Sequence, residues 1–522
     1  MNHTYALTTL GCKVNQYETQ QLRELIESYG LHRAPDGQAA DLAVVNTCAV
    51  TCSAGAKSRQ AIRQAARRGR STVVVVGCHA TADPAGVAAI PGVAAVIGHD
   101  DTLQRLRTLI EERFGSATED HRADSPHKAS ERDTCLRADG NEESIIPVSP
   151  PDGLGPISAS HPTTHSIPGP ALNVNIAASP RRLDPTSSRP MATGAHGPAS
   201  GCVEAVADPD PQWPGIHAFA DRQRAFLKIQ DGCDAHCTYC IIPRLRSHLR
   251  STSIDQAVEE ARDLVAAGHR EIVLTGIFLG AYGRQTALRR RQHSVGSPLA
   301  DLIDAVARVD GLERLRLSSL EPGDVDHALL AVMARHDCCV PHLHLPLQSG
   351  SDAILRKMNR QYDVAAFQDM IEQVNGVFDR PAITTDIIVG FPGETDDDFA
   401  DTCRVARQSR FAKIHAFPFS PRPQTAAARW TKEFVPSTIT KARMAHLRDL
   451  EQSLTHSYRE KMIGTVERII VERVDPSTGL ARGRCDRYVE VWFDAPDCHP
   501  GDVVLIQIDR IAANRTHGTL VA

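Results

Sequence analysis

The chain has 522 residues, too many for one ordinary domain and enough for two to four, each with its own core. Its formal net charge of -5 excludes a generally basic nucleic-acid binder but leaves room for local basic patches. Fourteen cysteines without an export signal imply reduced thiols, and no apolar run approaches the roughly 20 residues that span a bilayer, so a soluble cytoplasmic protein with no membrane contact is expected.

Residues 1–115 read as a small parallel α/β domain. A strand ends in LTTLGCKVNQYET, and a helix follows over Glu18 to Tyr29. A buried strand then runs from Asp41 to Asn46, a helix covers Ala56 to Arg68, and an apolar β-branched run, Thr72 to Val76, ends in Gly77-Cys78. Strands alternating with helices imply a parallel sheet, whose ligands sit beyond the carboxyl ends of the strands. Cys12, Cys48 and Cys78 each stand at such an end, where they would converge as ligands. The alternative is three small buried hydrophobes, a common fate of free cysteine. Lys57, Arg59, Arg63, Arg67, Arg68 and Arg70 follow Cys52 closely, and Arg59, Arg63 and Arg67 share one helical face. That stripe either tracks phosphates or is a solvated face.

Over residues 116–217 periodicity vanishes, as in SPPDGLGPISASHPTTHSIPGP, and a disordered insertion is expected because such composition cannot offset its ordering entropy. Cys135 and Cys202 fall inside it and are expected to be unligated. Residues 218–449 then repeat a β/α pattern. Strands are placed at Arg224 to Gln230, Glu271 to Thr275, Arg314 to Ser318, His342 to Leu347, Ala382 to Val389 and Lys413 to Phe419. Six units instead of eight predict a partial barrel with chemistry at the carboxyl ends of its strands.

Just after the first of these strands, DGCDAHCTYC carries Cys233, Cys237 and Cys240 as C-x3-C-x2-C. One loop thereby offers three thiolates to an iron-sulfur cluster and leaves a fourth iron open to a small molecule. The alternative in a reduced protein is structural zinc, which usually comes as paired C-x2-C units; no second unit lies nearby. Residues 450–522 change to five short strands broken by turns. These fit a small antiparallel barrel of a type that often binds oligonucleotides, although acids slightly outnumber Lys and Arg there.

Taken together, the motifs resemble the radical S-adenosylmethionine methylthiotransferases. LGCKVNQYE, NTC around Cys48 and VGC around Cys78 are similar to that family's three N-terminal cluster cysteines. GCDAHCTYCIIP, EIVLTGIFLGAYG, LSSLEP, LHLPLQSGSD, TTDIIVGFPGET and FPFSPRPQTAA are similar to its radical core, in order. The resemblance implies an α/β chain: an N-terminal parallel-sheet domain, a central partial (β/α)6 TIM-like radical SAM barrel, and a C-terminal antiparallel β-barrel called TRAM. It further implies two [4Fe-4S] clusters, on Cys233, Cys237 and Cys240 and on Cys12, Cys48 and Cys78, with S-adenosylmethionine as co-substrate and a reductant as partner. The GCKVNQYE form is closest to the MtaB branch, which methylthiolates carbon 2 of N6-threonylcarbamoyladenosine at position 37, in the tRNA anticodon loop. Another tRNA adenosine, a ribosomal protein side chain, or a non-catalytic iron-sulfur RNA binder are the competing readings.

By strand-end position, Glu321, Gln348, Ser349 and the backbone at Gly276 are candidate cofactor contacts, while Glu321 equally reads as a helix cap or a solvated acid. Asp386 and Gly390 read as structural. After the radical cysteines the family tends toward a tyrosine-rich Arg-Gly-Arg stretch; here Arg246 and Arg250 stand at matching places as candidate RNA contacts, with Ser247 and His248 departing from the pattern. Phe417, Phe419 and Tyr488 are candidates for base stacking. Cys52, Cys338, Cys339, Cys403, Cys485 and Cys498 read as packing residues, with Cys52 a possible substitute ligand.

Overall fold

The computed structural model describes residues 3–35, 37–68, 71–99, 101–115, 213–220, 222–289, 296–512 and 515–521. Arg70, Cys135 and Cys202 lie outside them. The first domain comprises β1 (Thr4–Thr9), α1 (Lys13–Glu27), β2 (His32–Arg33), β3 (Leu42–Thr47), α2 (Cys52–Arg67), β4 (Thr72–Gly77), α3 (Cys78–Ala82), α4 (Pro84–Ala88), β5 (Val93–Val96) and α5 (Thr102–Phe114). Its sheet is all parallel in the order β2-β1-β3-β4-β5. LAVVNT of β3 is buried at every position, as expected of a strand covered on both faces. Helix α1 begins five residues earlier than its apolar pattern suggests, because Cys12 already occupies its N-cap.

The central domain comprises β6 (Arg224–Lys228), β7 (Gln230–Asp231), α6 (Ile242–Leu245), β8 (Arg250–Ser251), α7 (Ile254–Ala266), β9 (Glu271–Thr275), α8 (Pro298–Val306), β10 (Arg314–Leu317), α9 (His327–Arg335), β11 (His342–His344), α10 (Asp352–Lys357), α11 (Val364–Val377), β12 (Ala382–Val389), α12 (Asp396–Ser409), β13 (Lys413–Pro418) and α13 (Ser437–Glu460). Two parallel three-stranded sheets, β10-β9-β6 and β11-β12-β13, are joined by a bridge between Leu315 and Cys339, which makes one open half-barrel. Local sequence sets the helix starts. Ser253, Asp326, Ser351 and Asp363 each accept a hydrogen bond from the first turn, and Thr395 with Asp398 forms a reciprocal capping box. Helix α1 of the first domain packs along the edge strand β6, and Tyr17 enters the core of the half-barrel.

Ile216 is buried in that same core, so residues 213–217, assigned above to the insertion, pack as part of the central domain. Helix α13 passes through the expected boundary at residues 449 and 450. Leu447, Leu450 and Leu454 pack on the half-barrel, whereas Tyr458 belongs to the core of the final domain. That domain is a closed barrel of β14 (Val466–Val474), β15 (Leu480–Cys485), β16 (Glu490–Asp494), β17 (Val503–Ala512) and β18 (Arg515–Leu520). The turn between β15 and β16 closes one end of the half-barrel. Buried Glu271 pairs with Arg224, Arg314 and Arg316 at 2.6, 2.9 and 2.8 Å, and Arg314 and Arg316 donate onward to the carbonyls of Arg484 and Cys485. Tyr488 lies stacked on His342 at 4.8 Å with the guanidinium of Arg316 over its ring. Among the described residues no helix is long and apolar enough to cross a membrane.

Candidate active site

The loop after β6 is folded by its own backbone. Gly232 has φ +81°, and a side chain there would meet the His248 carbonyl oxygen at 1.9 Å, so the chain passes too closely for any other residue. Gln230 Nε2 donates to the carbonyl oxygens of Asp231 and Gly232. Cys233 N–H donates to the Arg246 carbonyl at 3.0 Å, and Cys240 N–H to that of Cys237 at 3.0 Å. These bonds keep the three cysteines together in one short loop. Burial pushes the Cys233 and Cys240 thiols up to about 12, with the neighbouring cysteines adding to the rise. Arg360 donates to Cys237 Sγ at 3.3 Å and also pairs with Glu321.

Glu321 and Gln348 line a small cleft at the carboxyl ends of β9 to β11, together with Phe278, Ser319, Asp324 and Arg360. Burial raises Asp324 to about 6, against the pull of Arg289 at 2.9 Å. Gln348 sits at φ +63°, a conformation rare outside glycine, held by hydrogen bonds to the carbonyl of Asp386 and from the amide of Ile388. Ser349 is buried behind this cleft, within 3.4 Å of Thr402 Oγ1, and Gly276 packs against Gln230 just before the cleft's first lining residue.

Three strand ends of the first domain also converge. Gly11, at φ +110°, brings its backbone so close to Cys48 that a side chain would lie 3.0 Å from Sγ. Asn15 Nδ2 donates to the carbonyls of Leu10 and Thr47 at 2.8 and 3.0 Å and so ties the Cys12 loop to the Cys48 loop. Ser58 holds Cys48 at both its N–H and its C=O, and Thr47 Oγ1 donates to Val76 and accepts from Ala80 beside Cys78. Burial pushes Cys48 up to about 11 and Cys78 up to about 12, each raised further by Cys12. Cys12 is exposed and the other two are buried. Among the described residues no three His, Cys, Asp or Glu side chains close on a point as one metal ion requires; a cluster takes one thiolate per iron and does not ask for that.

Residues 227–406 match the Radical SAM superfamily, and residues 4–98 match the Uncharacterized protein family UPF0004. The threonylcarbamoyladenosine tRNA methylthiotransferase MtaB of Bacillus subtilis is 32% identical over 97% of this chain and 93% of its own length. The chain belongs to the radical SAM tRNA methylthiotransferase family. MtaB of Thermotoga maritima is 30% identical over 94% of this chain and 91% of its own length. A tRNA-2-methylthio-N(6)-dimethylallyladenosine synthase of Acidothermus cellulolyticus is also 30% identical, over 98% of this chain and 86% of its own. The radical S-adenosylmethionine methyltransferase TsrM of Kitasatospora setae, with cobalamin and a [4Fe-4S] cluster bound, covers 82% of this chain and 74% of its own at a TM-score of 0.47 and 14% identity.

Membership in this radical SAM family implies a [4Fe-4S] cluster and S-adenosylmethionine, and the residues present fit both. Cys233 gives a buried thiol and Cys237 and Cys240 half-buried ones, whose protons iron would displace, and the adjoining cleft carries both carboxylate and guanidinium groups for a charged co-substrate.

Several functional residues have no signal in spacing alone. Arg360 joins cluster loop to cleft from a position 120 residues beyond Cys240, and His99 Nε2 lies 3.2 Å from Cys78 Sγ. Of the candidate RNA contacts, Arg63 and Arg67 are exposed on α2 and Arg59 is half-buried. Arg250 is half-buried in β8. Arg246 is buried, and its guanidinium pairs with Glu18 and Asp231. Phe419 packs against Phe391 and Phe434, Phe417 is half-buried on β13, and Tyr488 is taken up by the barrel floor. Cys52 Sγ donates to the Pro421 carbonyl at 3.2 Å, so α2 starts against the loop that follows β13.

Proposed function

We propose that the enzyme converts N6-threonylcarbamoyladenosine at position 37 of tRNA to its 2-methylthio derivative in the cytoplasm. It would use one cluster on Cys233, Cys237 and Cys240 and a second on Cys12, Cys48 and Cys78. The observation that carries the reading is the pair of separate three-cysteine sites on either side of Arg246, which accepts the Cys233 N–H through its carbonyl and acts electrostatically on Cys78 through its side chain. The relatives named for threonylcarbamoyladenosine, at 30 to 32% identity over nearly the whole chain, support the choice of nucleoside.

Carbon 2 of adenine offers neither an acidic proton nor a leaving group, so acid-base side chains cannot activate it. When bound, the clusters and S-adenosylmethionine, with an electron from an external reductant, would supply the radical, the sulfur and the methyl group that such a carbon requires. The chain's own residues hold and orient. Arg360 fixes the Cys237 thiolate and the Glu321 carboxylate with one guanidinium, so the cluster loop and the cofactor cleft cannot drift apart. Phe278 and Gln348 wall the cleft. Exposed Cys12 leaves the second site reachable by a splayed-out anticodon-loop base, while Arg63 and Arg67 offer charges for its phosphates.

Mass spectrometry of tRNA nucleosides from strains with and without the gene tests the proposal. Loss of 2-methylthio-threonylcarbamoyladenosine on deletion is expected. Loss of the 2-methylthio dimethylallyl nucleoside instead, or of a methylthiolated ribosomal protein, overturns it.

A further inference from the structure

Along β11, β12 and β13 side chains alternate between the helix-covered core and the interior of the half-barrel. Leu343, Ile383, Ile387 and Ile414 face the core. The alternate positions carry His342 and His344, Thr384 and Asp386, and His415, which stands directly across from Asp386 in the strand register. His344 Nε2 lies 3.4 Å from Asp386 Oδ2, its Nδ1 lies 2.9 Å from Thr384 Oγ1, and the rings of His344 and His415 are 5.9 Å apart. The other carboxylate oxygen, Asp386 Oδ1, is buried and has no hydrogen-bond partner among the described residues.

A buried carboxylate oxygen without a partner is costly, and native structures keep such groups mainly where something else supplies the bond. This one adjoins the active site, since the Asp386 carbonyl accepts the amide of Gln348, whose side chain lines the cofactor cleft. A cation also bears on these groups. Lys13, the first residue of α1 and the neighbour of Cys12, acts electrostatically on both Asp386 and His342. An apolar nucleoside substituent placed here would desolvate these groups and return no hydrogen bonds. A substituent with N–H donors and a carboxylate satisfies both ends at once.

We propose that Lys13, Asp386, His344 and His415 form the pocket that selects the polar, carboxylate-bearing N6 substituent of the target adenosine. Lys13 takes the carboxylate, and Asp386 Oδ1 accepts an N–H or O–H. His344 and His415 orient Asp386. The proposal rests on the function given above and names the residues that choose the nucleoside within it.

The test uses the full chain with its clusters in place and two anticodon stem-loops, one bearing threonylcarbamoyladenosine and one in which the threonine carboxylate is a carboxamide. The wild-type enzyme is expected to prefer the carboxylate by about ten-fold or more in kcat/KM, and Lys13→Met to lose that preference. Asp386→Asn, on a strand remote in sequence from the cysteines, is expected to raise KM for both stem-loops by about ten-fold, with iron content and melting temperature unchanged. Should Lys13→Met lose iron because it adjoins Cys12, Asp386→Asn decides. If both variants keep the wild-type preference and KM, the pocket is overturned while the proposed function stands. A wild-type enzyme that accepts only a dimethylallyl stem-loop overturns both.

Discussion

Arg246 and Glu18 meet through two partly buried hydrogen bonds, Nη1 to Oε1 at 2.7 Å and Nη2 to Oε2 at 2.8 Å. Glu18 belongs to α1 and Arg246 follows the radical cysteines, so this pair fastens the first domain to the loop that would carry the radical cluster. Burial alone would raise the Glu18 carboxyl, but Arg246 and Lys228 beside it hold it down at about 2. Asp231 is held well below the usual carboxylate range by the same two cations.

Arg246→Ala should therefore destabilise the protein by about 2–3 kcal/mol, because two partly buried carboxylates lose their shared guanidinium and are left with Lys228. Thermal unfolding would show it. A variant with normal melting but weaker tRNA binding would instead assign Arg246 to RNA and refute the domain-fastening role.

The two cysteine sites should separate in their losses. Cys233→Ala is expected to abolish reductive cleavage of S-adenosylmethionine, whereas Cys12→Ala should remove about half of the iron, keep cleavage and abolish methylthiolation. Iron analysis with a 5'-deoxyadenosine assay measures both. Full methylthiolation by Cys12→Ala with normal iron would remove the second cluster from the proposal.

Arg360→Met should raise KM for S-adenosylmethionine by about ten-fold or more, because it frees Glu321 and withdraws a donor from the Cys237 thiolate. Unchanged KM, measured with iron content equal to wild type, would reduce Arg360 to a packing residue.

Glu271→Gln should cost about 3 kcal/mol or more, since Arg224, Arg314 and Arg316 lose their common counter-charge in a buried site. Limited proteolysis is expected to release the C-terminal barrel earlier than in wild type. Equal melting and equal cleavage rates would show that the barrel docks by other contacts.

Glu260 predicts a pH dependence. Burial pushes its carboxyl up to about 8, against the hydrogen bonds it accepts from Tyr17 and the Ile216 amide. A folded-state value above the unfolded one favours the fold fully below about pH 4.5, and the contribution fades as pH rises toward 8. Glu260→Gln does not ionise, so its stability relative to wild type should climb by a few kcal/mol between pH 5 and pH 9. Parallel denaturation curves at both pH values would contradict this.

Cys233, Cys237 and Cys240 lie within one loop, so their nearness was legible in the sequence itself. The β/α rhythm, the open half-barrel and the five-stranded barrel follow from periodicity and turns, because both report local backbone preference and which face must be buried. The meeting of three distant strand ends was also readable, since adjacent parallel strands place their carboxyl ends along one edge. Tertiary structure alone decided what depends on side chains arriving from separate elements. It sent Arg246 inward to Glu18 instead of outward to a phosphate, placed Arg360 between thiolate and carboxylate, and set Tyr488 into the barrel floor. It also left Asp386 Oδ1 without a partner among the described residues, close to the cleft at the strand ends. A charge or an aromatic ring carries no mark of the partner it will meet, because that pairing is settled by packing across hundreds of residues rather than by neighbours along the chain.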